Sequence, residues 1–169
     1  GGSMGHGDVL TTIGRLDKLP LDFQMVVVCG SNEKLKNKLD ALLTVKRLTV
    51  LGFSTIVDQL MSASDMIVTK PGGLTVSEAI AKCLPMVLID AVAGCEEHNL
   101  DFFLGLGAAE TADTPEALAA TALTLLERPE RLAAMSAAER TGETRTPAEI
   151  IYETLFPGAG FAARDRAEA

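Results

Sequence analysis

Thr69-Lys70-Pro71-Gly72-Gly73-Leu74-Thr75-Val76-Ser77-Glu78 is the stretch that decides how this chain folds. It follows Asp65-Met66-Ile67-Val68, which reads as a short buried strand, and it opens a helical pattern that ends near Cys83. A strand that runs into a glycine-rich turn and then a helix start builds an anion site. Glycine lets the backbone approach closely, the first-turn N–H groups have no intrahelical partner, and the helix dipole favours negative charge. Glu78 stands one turn or so further along, a carboxylate able to accept hydrogen bonds from hydroxyl groups. A phosphate-facing turn beside such an acid points to a nucleotide or a nucleotide-sugar.

Outward from this block, strand-like runs alternate with helical patterns. Phe23-Gln24-Met25-Val26-Val27-Val28-Cys29 is an apolar run closed by Gly30-Ser31-Asn32, after which Leu35, Leu39, Leu42 and Leu43 recur at helical spacing. Leu48-Thr49-Val50-Leu51 predicts a second strand ended by Gly52-Phe53, and Ser54 is placed to cap a helix that turns Val57, Leu60 and Met61 inward. Met66–Thr69 is the third strand, Pro85–Ile89 the fourth and Ala108–Thr111 a fifth. Thr114-Pro115 puts a cap before a proline at the first helical position, and Leu118, Ala122, Leu125 and Leu126 give that helix a buried face. Pro129 starts another helix, and Thr146-Pro147-Ala148-Glu149 reads as a capping box. Residues 157–169 lack periodicity and are expected to be a disordered tail to a domain spanning 1–156.

Apolar strands separated by helices imply an α/β fold with a doubly wound parallel sheet and right-handed crossovers. Such sheets bind ligands beyond the carboxyl ends of their strands. Gly30-Ser31, Gly52-Phe53, Lys70–Gly73 and Asp90–Asn99 all fall there.

At 169 residues the chain is long enough to bury a real core, and 47% hydrophobic with 4% aromatic describes an aliphatic one. A net charge of -8 argues against a nucleic-acid partner and against a polybasic membrane patch. Cys29, Cys83 and Cys95 show no metal-ligand spacing, and His6 and His98 are the two histidines, so no metal site is expected; two of the cysteines sit in apolar contexts and read as buried, reduced thiols. The apolar runs are too short to span a bilayer.

The glycine-rich opening, Gly52-Phe53, the Ser-Asp-Met-Ile-Val-Thr-Lys-Pro-Gly-Gly-Leu-Thr-x-x-Glu block of 64–78 and Ala93-Gly94-Cys95-Glu96-x-x-Asn99 occur in that order. Over roughly residues 1–156 this resembles the C-terminal, Rossmann-like donor-binding domain of family 28 glycosyltransferases of the GT-B fold. The wording of the central block is most similar to the monogalactosyldiacylglycerol synthases and processive diacylglycerol glucosyltransferases. The resemblance implies a UDP-sugar as substrate, with no cofactor. It implies that the backbone at Phe53 binds uracil, that the turn of Gly72, Gly73, Leu74 and Thr75 meets the diphosphate with Lys70 beside it, and that Glu78 holds the ribose. Against these stand plainer readings: Phe53 as a core aromatic, Lys70 as a solvated lysine, Thr75-x-x-Glu78 as a capping box. Gly94, Cys95, Glu96 and Asn99 match the loop that reads the sugar hydroxyls, although the family carries Gln where this chain has Cys95. Ser3, Met4 and Gly5 match the loop facing the diphosphate from the opposite side.

A glycine-rich loop entering a helix normally follows a strand, and none precedes Gly1; either the sequence begins just after that strand or Gly-Ser-Met is a cloning remnant. In the resembled family the general base and the acceptor pocket belong to an N-terminal domain missing here. The resemblance therefore implies a donor domain, inactive alone, of a cytoplasmic enzyme peripheral at the membrane through that other domain, which transfers a hexose to a lipid such as diacylglycerol with inversion. Two alternatives remain: a stand-alone donor subunit of a split or lipid II-type N-acetylglucosaminyltransferase, and a non-catalytic α/β binding domain.

Overall fold

A computed structural model of the chain describes residues 8–89, 91, 94–140, 152 and 154–156. The predicted tail at 157–169 and the capping box at 146–149 lie outside the described residues. The chain divides into two compact units, Gly1–Glu139 and Arg140–Ala169. In the second, the rings of Tyr152 and Phe156 pack 5.2 Å apart.

The first unit opens with α1 (Val9–Leu16), whose N-cap Asp8 accepts the Thr11 amide and whose buried side carries Ile13 and Leu16. Strand β1 (Met25–Val28), α2 (Glu33–Asp40), β2 (Leu48–Leu51), α3 (Val57–Ser62), β3 (Ile67–Thr69), α4 (Gly73–Ala81) and β4 (Met86–Leu88) follow. The unit closes with α5 (Cys95–Leu106), β5 (Ala109–Thr111), α6 (Pro115–Leu126) and α7 (Pro129–Arg140). All the strands pair in parallel, so the α/β expectation holds. The Thr114 cap and first-turn Pro115 sit as read: the Thr114 hydroxyl accepts the Ala117 amide, and Leu118, Ala122 and Leu125 are buried.

Among the described residues the strands are laddered in two sets. Met25–Val28 pairs with Leu48–Leu51, and β4 lies between β3 and β5 with Ile67↔Met86↔Ala109 in register. Among the described residues β1 pairs with β2 alone and β3 with β4 alone. The chain passes from β2 to β3 through α3, and this crossover leaves one ladder for the other. The two still share a core: Met25, Cys29, Leu39, Val87, Leu118 and Leu125 belong to one cluster, with Val27, Val50 and Val68 packed on it. On the opposite face Met86 and Leu88 join Met61, Val76, Ala79 and Phe103. The period-2 alternation of Met86-Val87-Leu88 thus feeds two cores, one through each face of the strand.

Three local expectations shift. Helix α2 stops at Asp40, leaving Leu43 97% exposed. Ser54 does not cap α3: its hydroxyl takes the Ile56 amide two residues on, tightening the turn ahead of a helix whose N-cap is Ile56. Helix α5 was not expected at all.

Glu139 on α7 is only 6% exposed, and neither carboxylate oxygen finds a hydrogen-bond partner among the described residues. Burial pushes its pKa up from 4.5 to about 7. The folded state therefore holds a proton that the unfolded chain has released. The stability this group contributes is intact below pH 4.5, declines as pH rises, and is gone above about 7. Denaturant unfolding of wild type and E139Q should show their stability difference moving by about 2.5 kcal/mol between pH 5 and pH 8 in favour of the glutamine. A difference that stays flat with pH would mean that water reaches the carboxylate.

Candidate functional site

The turn after β3 is anchored from beneath. Thr69 and Pro71 are buried, and the Thr69 carbonyl accepts the Ile89 amide, which carries the β3–β4 ladder up to the base of the turn. Gly72 is the N-cap of α4 and brings no side chain to it, so no side-chain acceptor closes the first turn at Gly73, Leu74 and Thr75. An anion is the natural complement of such an end. Thr75 is the third residue of the helix, so Thr75-x-x-Glu78 caps nothing. Glu78, exposed in the second turn, shares a helix side with the exposed Leu74, four residues earlier.

The segment read as a sugar-binding loop, Gly94–Asn99, is the first turn of α5. Gly94 supplies the N-cap at φ +101°, a conformation that side chains resist. The Glu97 carboxylate reaches back to accept the Gly94 amide at 3.1 Å. Two further side chains of this turn cross to the phosphate-type turn. Asn99 Nδ2 donates to the Pro71 carbonyl at 2.8 Å, and Glu96 Oε2 lies 3.9 Å from Lys70 Nζ. Lys70 is thus a partly buried, paired lysine rather than a solvated one, its side chain 12% exposed against 27% for Glu96.

The structure therefore brings together Lys70, Gly72, Gly94, Glu96 and Asn99, with Gly73, Leu74, Thr75 and Glu78 following on α4. Gly30, at φ +58°, and Gly52 meet at the ends of β1 and β2, where a β-carbon on Gly52 would lie 3.7 Å from the Gly30 carbonyl oxygen. Phe53 beside them is 83% exposed, which overturns its reading as a core aromatic. Ser3, Met4 and Gly5 lie outside the described residues, as do Asp90, Val92 and Ala93, and so does the side chain of Cys95. His98 is exposed. Sequence reasoning missed Glu97 as an internal cap and Asn99 as a clamp on Pro71. The signals were the Gly94-x-x-Glu97 spacing and the run Leu100, Phe103, Leu104 and Gly107, in which Gly107 closes α5 in the left-handed conformation.

Among the described residues no group of three His, Cys, Asp or Glu gathers where a metal could be held, and no helix is long and apolar enough to cross a membrane. An open cavity of about 640 Å³ lies near the amino ends of β1 and β2, between Leu19–Gln24 and Val45–Arg47. Lys46 there is engaged by the Leu19 carbonyl and the Phe23 ring.

Residues 5–142 match the family described as glycosyl transferases group 1. A processive diacylglycerol beta-glucosyltransferase of Staphylococcus saprophyticus is 34% identical over 155 residues, 91% of this chain and 37% of its own length. The chain thus spans little more than a third of that curated relative. Among solved structures, Acinetobacter baumannii MurG superposes with a TM-score of 0.77 at 23% identity, over 92% of this chain and 47% of that one. Anabaena HepE in complex with UDP superposes at 0.61 with 19% identity, over 79% and 39%. These likenesses bear out the Rossmann-like α/β fold and the resemblance of the central block to the diacylglycerol glucosyltransferases.

Removing the Asn99 amide strands the carbonyl of buried Pro71. N99A is expected to lose about 1–2 kcal/mol of stability in urea unfolding, and an unchanged midpoint would show that the clamp contributes nothing.

Proposed function

This chain belongs to the glycosyl transferases of group 1, and from that premise we propose that it is the donor-binding half of an enzyme transferring a hexose from a UDP-sugar to a lipid such as diacylglycerol. The observation that carries the reading is the start of α4: a helix end without a side-chain cap, with Lys70 at its mouth and exposed Glu78 in its second turn. Amides at Gly72, Gly73, Leu74 and Thr75 meet the diphosphate, Lys70 offsets its charge, and Glu78 accepts the ribose hydroxyls. The exposed Phe53 marks the uracil end of the cleft through its backbone. Gly94, Cys95, Glu96 and Asn99 border the sugar, and Ser3, Met4 and Gly5 face the diphosphate from the opposite wall.

The kind of acceptor is supported by the relative's own activity, a glucosyl transfer to diacylglycerol. In the whole enzyme the acceptor hydroxyl attacks the anomeric carbon, its proton passes to a general base, and UDP leaves with inversion. That base and the acceptor pocket are assigned to a second, N-terminal domain, which also carries the contact with the cytoplasmic membrane surface. The donor half binds and orients; it transfers nothing alone.

Calorimetry tests this directly. UDP is expected to bind the chain in the micromolar to sub-millimolar range, and E78A to weaken it about 10-fold or more, as loss of charge-assisted hydrogen bonds does. Failure of UDP to bind at millimolar concentration, or an E78A variant that binds as wild type does, removes the assignment. Thermal shifts with UDP-glucose, UDP-galactose and UDP-N-acetylglucosamine then rank the sugars, since a ligand of the native state raises its melting temperature.

A further inference from the structure

Strands β1 and β3 each leave one edge without a partner strand among the described residues. In β1 the Met25 and Cys29 amides donate to the Arg47 and Leu51 carbonyls on the β2 side. Alternation along a strand therefore turns the amides of Val26 and Val28 away from β2. In β3 the Ile67 amide donates to the Pro85 carbonyl and the Thr69 carbonyl accepts the Ile89 amide, so Val68 turns its amide and carbonyl away from β4.

The helices fix how these two edges lie. Ile13 and Leu16 of α1 and Leu39 of α2 pack in one core cluster with Met25 and Val87, whereas Met61 of α3, Val76 of α4 and Phe103 of α5 pack in the other. Right-handed crossovers step one way when their helix lies on one face of a sheet and the opposite way when it lies on the other. The step β1–α2–β2 therefore runs opposite to β3–α4–β4 and β4–α5–β5, and α3 carries the chain back from β2 to β3. The free edges of β1 and β3 consequently face each other, over a core that both ladders share. Helix α1 lies on the same face as α2 and makes the same kind of step into β1. The strand that feeds α1 belongs on the far side of β1 from β2, in the slot between the ladders.

We infer that this slot takes one further parallel strand, supplied by the same polypeptide ahead of α1, which joins the two ladders into a single sheet with the new strand between β1 and β3. A strand bonded along both edges in an α/β sheet is a near-continuous apolar run, and about four residues match the length of β1 and β2. It pairs with the backbone of Val26, Val28 and Val68. Its side chains on one face come to lie beside those of Val26 and Val28, which are 43% and 36% exposed.

Hydrogen exchange followed by NMR tests the inference. In residues 1–169 the amides of Val26, Val28 and Val68 are expected to exchange quickly while those of Val27 and Ile67 exchange slowly. Extended by the residues that its gene encodes directly ahead of Gly1, about ten being enough for one strand, the protein should melt at a higher temperature. The same three amides should then slow by about 100-fold or more. Protection of all three in residues 1–169 alone, by its own remaining segments or by a second copy revealed on dilution, would give the slot a different occupant and overturn the inference. An extension that leaves them unprotected, or a preceding stretch with no apolar run, overturns it equally.

Discussion

Strand β4 has protein on every side. Met86, Val87 and Leu88 are essentially without solvent contact, both edges are hydrogen-bonded, and its side chains feed a separate core through each face. A backbone so enclosed must satisfy its amides and carbonyls within the ladder, because no water can. It thereby fixes β3 on one edge and β5 on the other, and helices must cover both faces. Freedom returns only beyond the strand ends, where the polar residues gather. Thr69 and Ile89 are the last ladder partners before the turns diverge, and the Asn99–Pro71 hydrogen bond reconnects those turns a few residues later.

The strands were legible because short apolar runs bounded by glycine or proline have few other uses, and β2 falls at Leu48–Leu51 as its residues imply. Thr114-Pro115 was legible for a local reason: cap and first-turn proline act within four residues of each other. The start of α5 was not. Gly94, Glu96, Glu97, His98 and Asn99 form a polar cluster that reads as a loop and outweighs the fainter helical signal of Gly94-x-x-Glu97 and Leu100, Phe103 and Leu104, whereas the hydrogen bonds of Glu97 to Gly94 and of Asn99 to Pro71 show only in the structure. Those are long-range or side-chain facts that periodicity does not carry. The break between the two ladders was equally hidden, since strand patterns say which residues are extended but not which edges meet. Leu42 and Leu43 continued the helical spacing of α2 past the point where the helix ends, a case of pattern outrunning hydrogen bonding.

The charge of the chain and the charge of its site run in opposite senses. A net charge of -8 argues against nucleic acid, yet the start of α4, without a side-chain cap and with Lys70 beside it, is locally favourable to negative charge. No contradiction arises, because screening confines each effect to about 10 Å or less. One lysine, one bare helix end and a set of backbone amides suffice locally.

The incomplete laddering of β1 bears on how the molecule behaves in company. Val26 and Val28 are 43% and 36% exposed, on a strand that pairs with β2 alone among the described residues. Its other edge meets no strand among the described residues, and such an edge offers amides and carbonyls along which a further strand can pair.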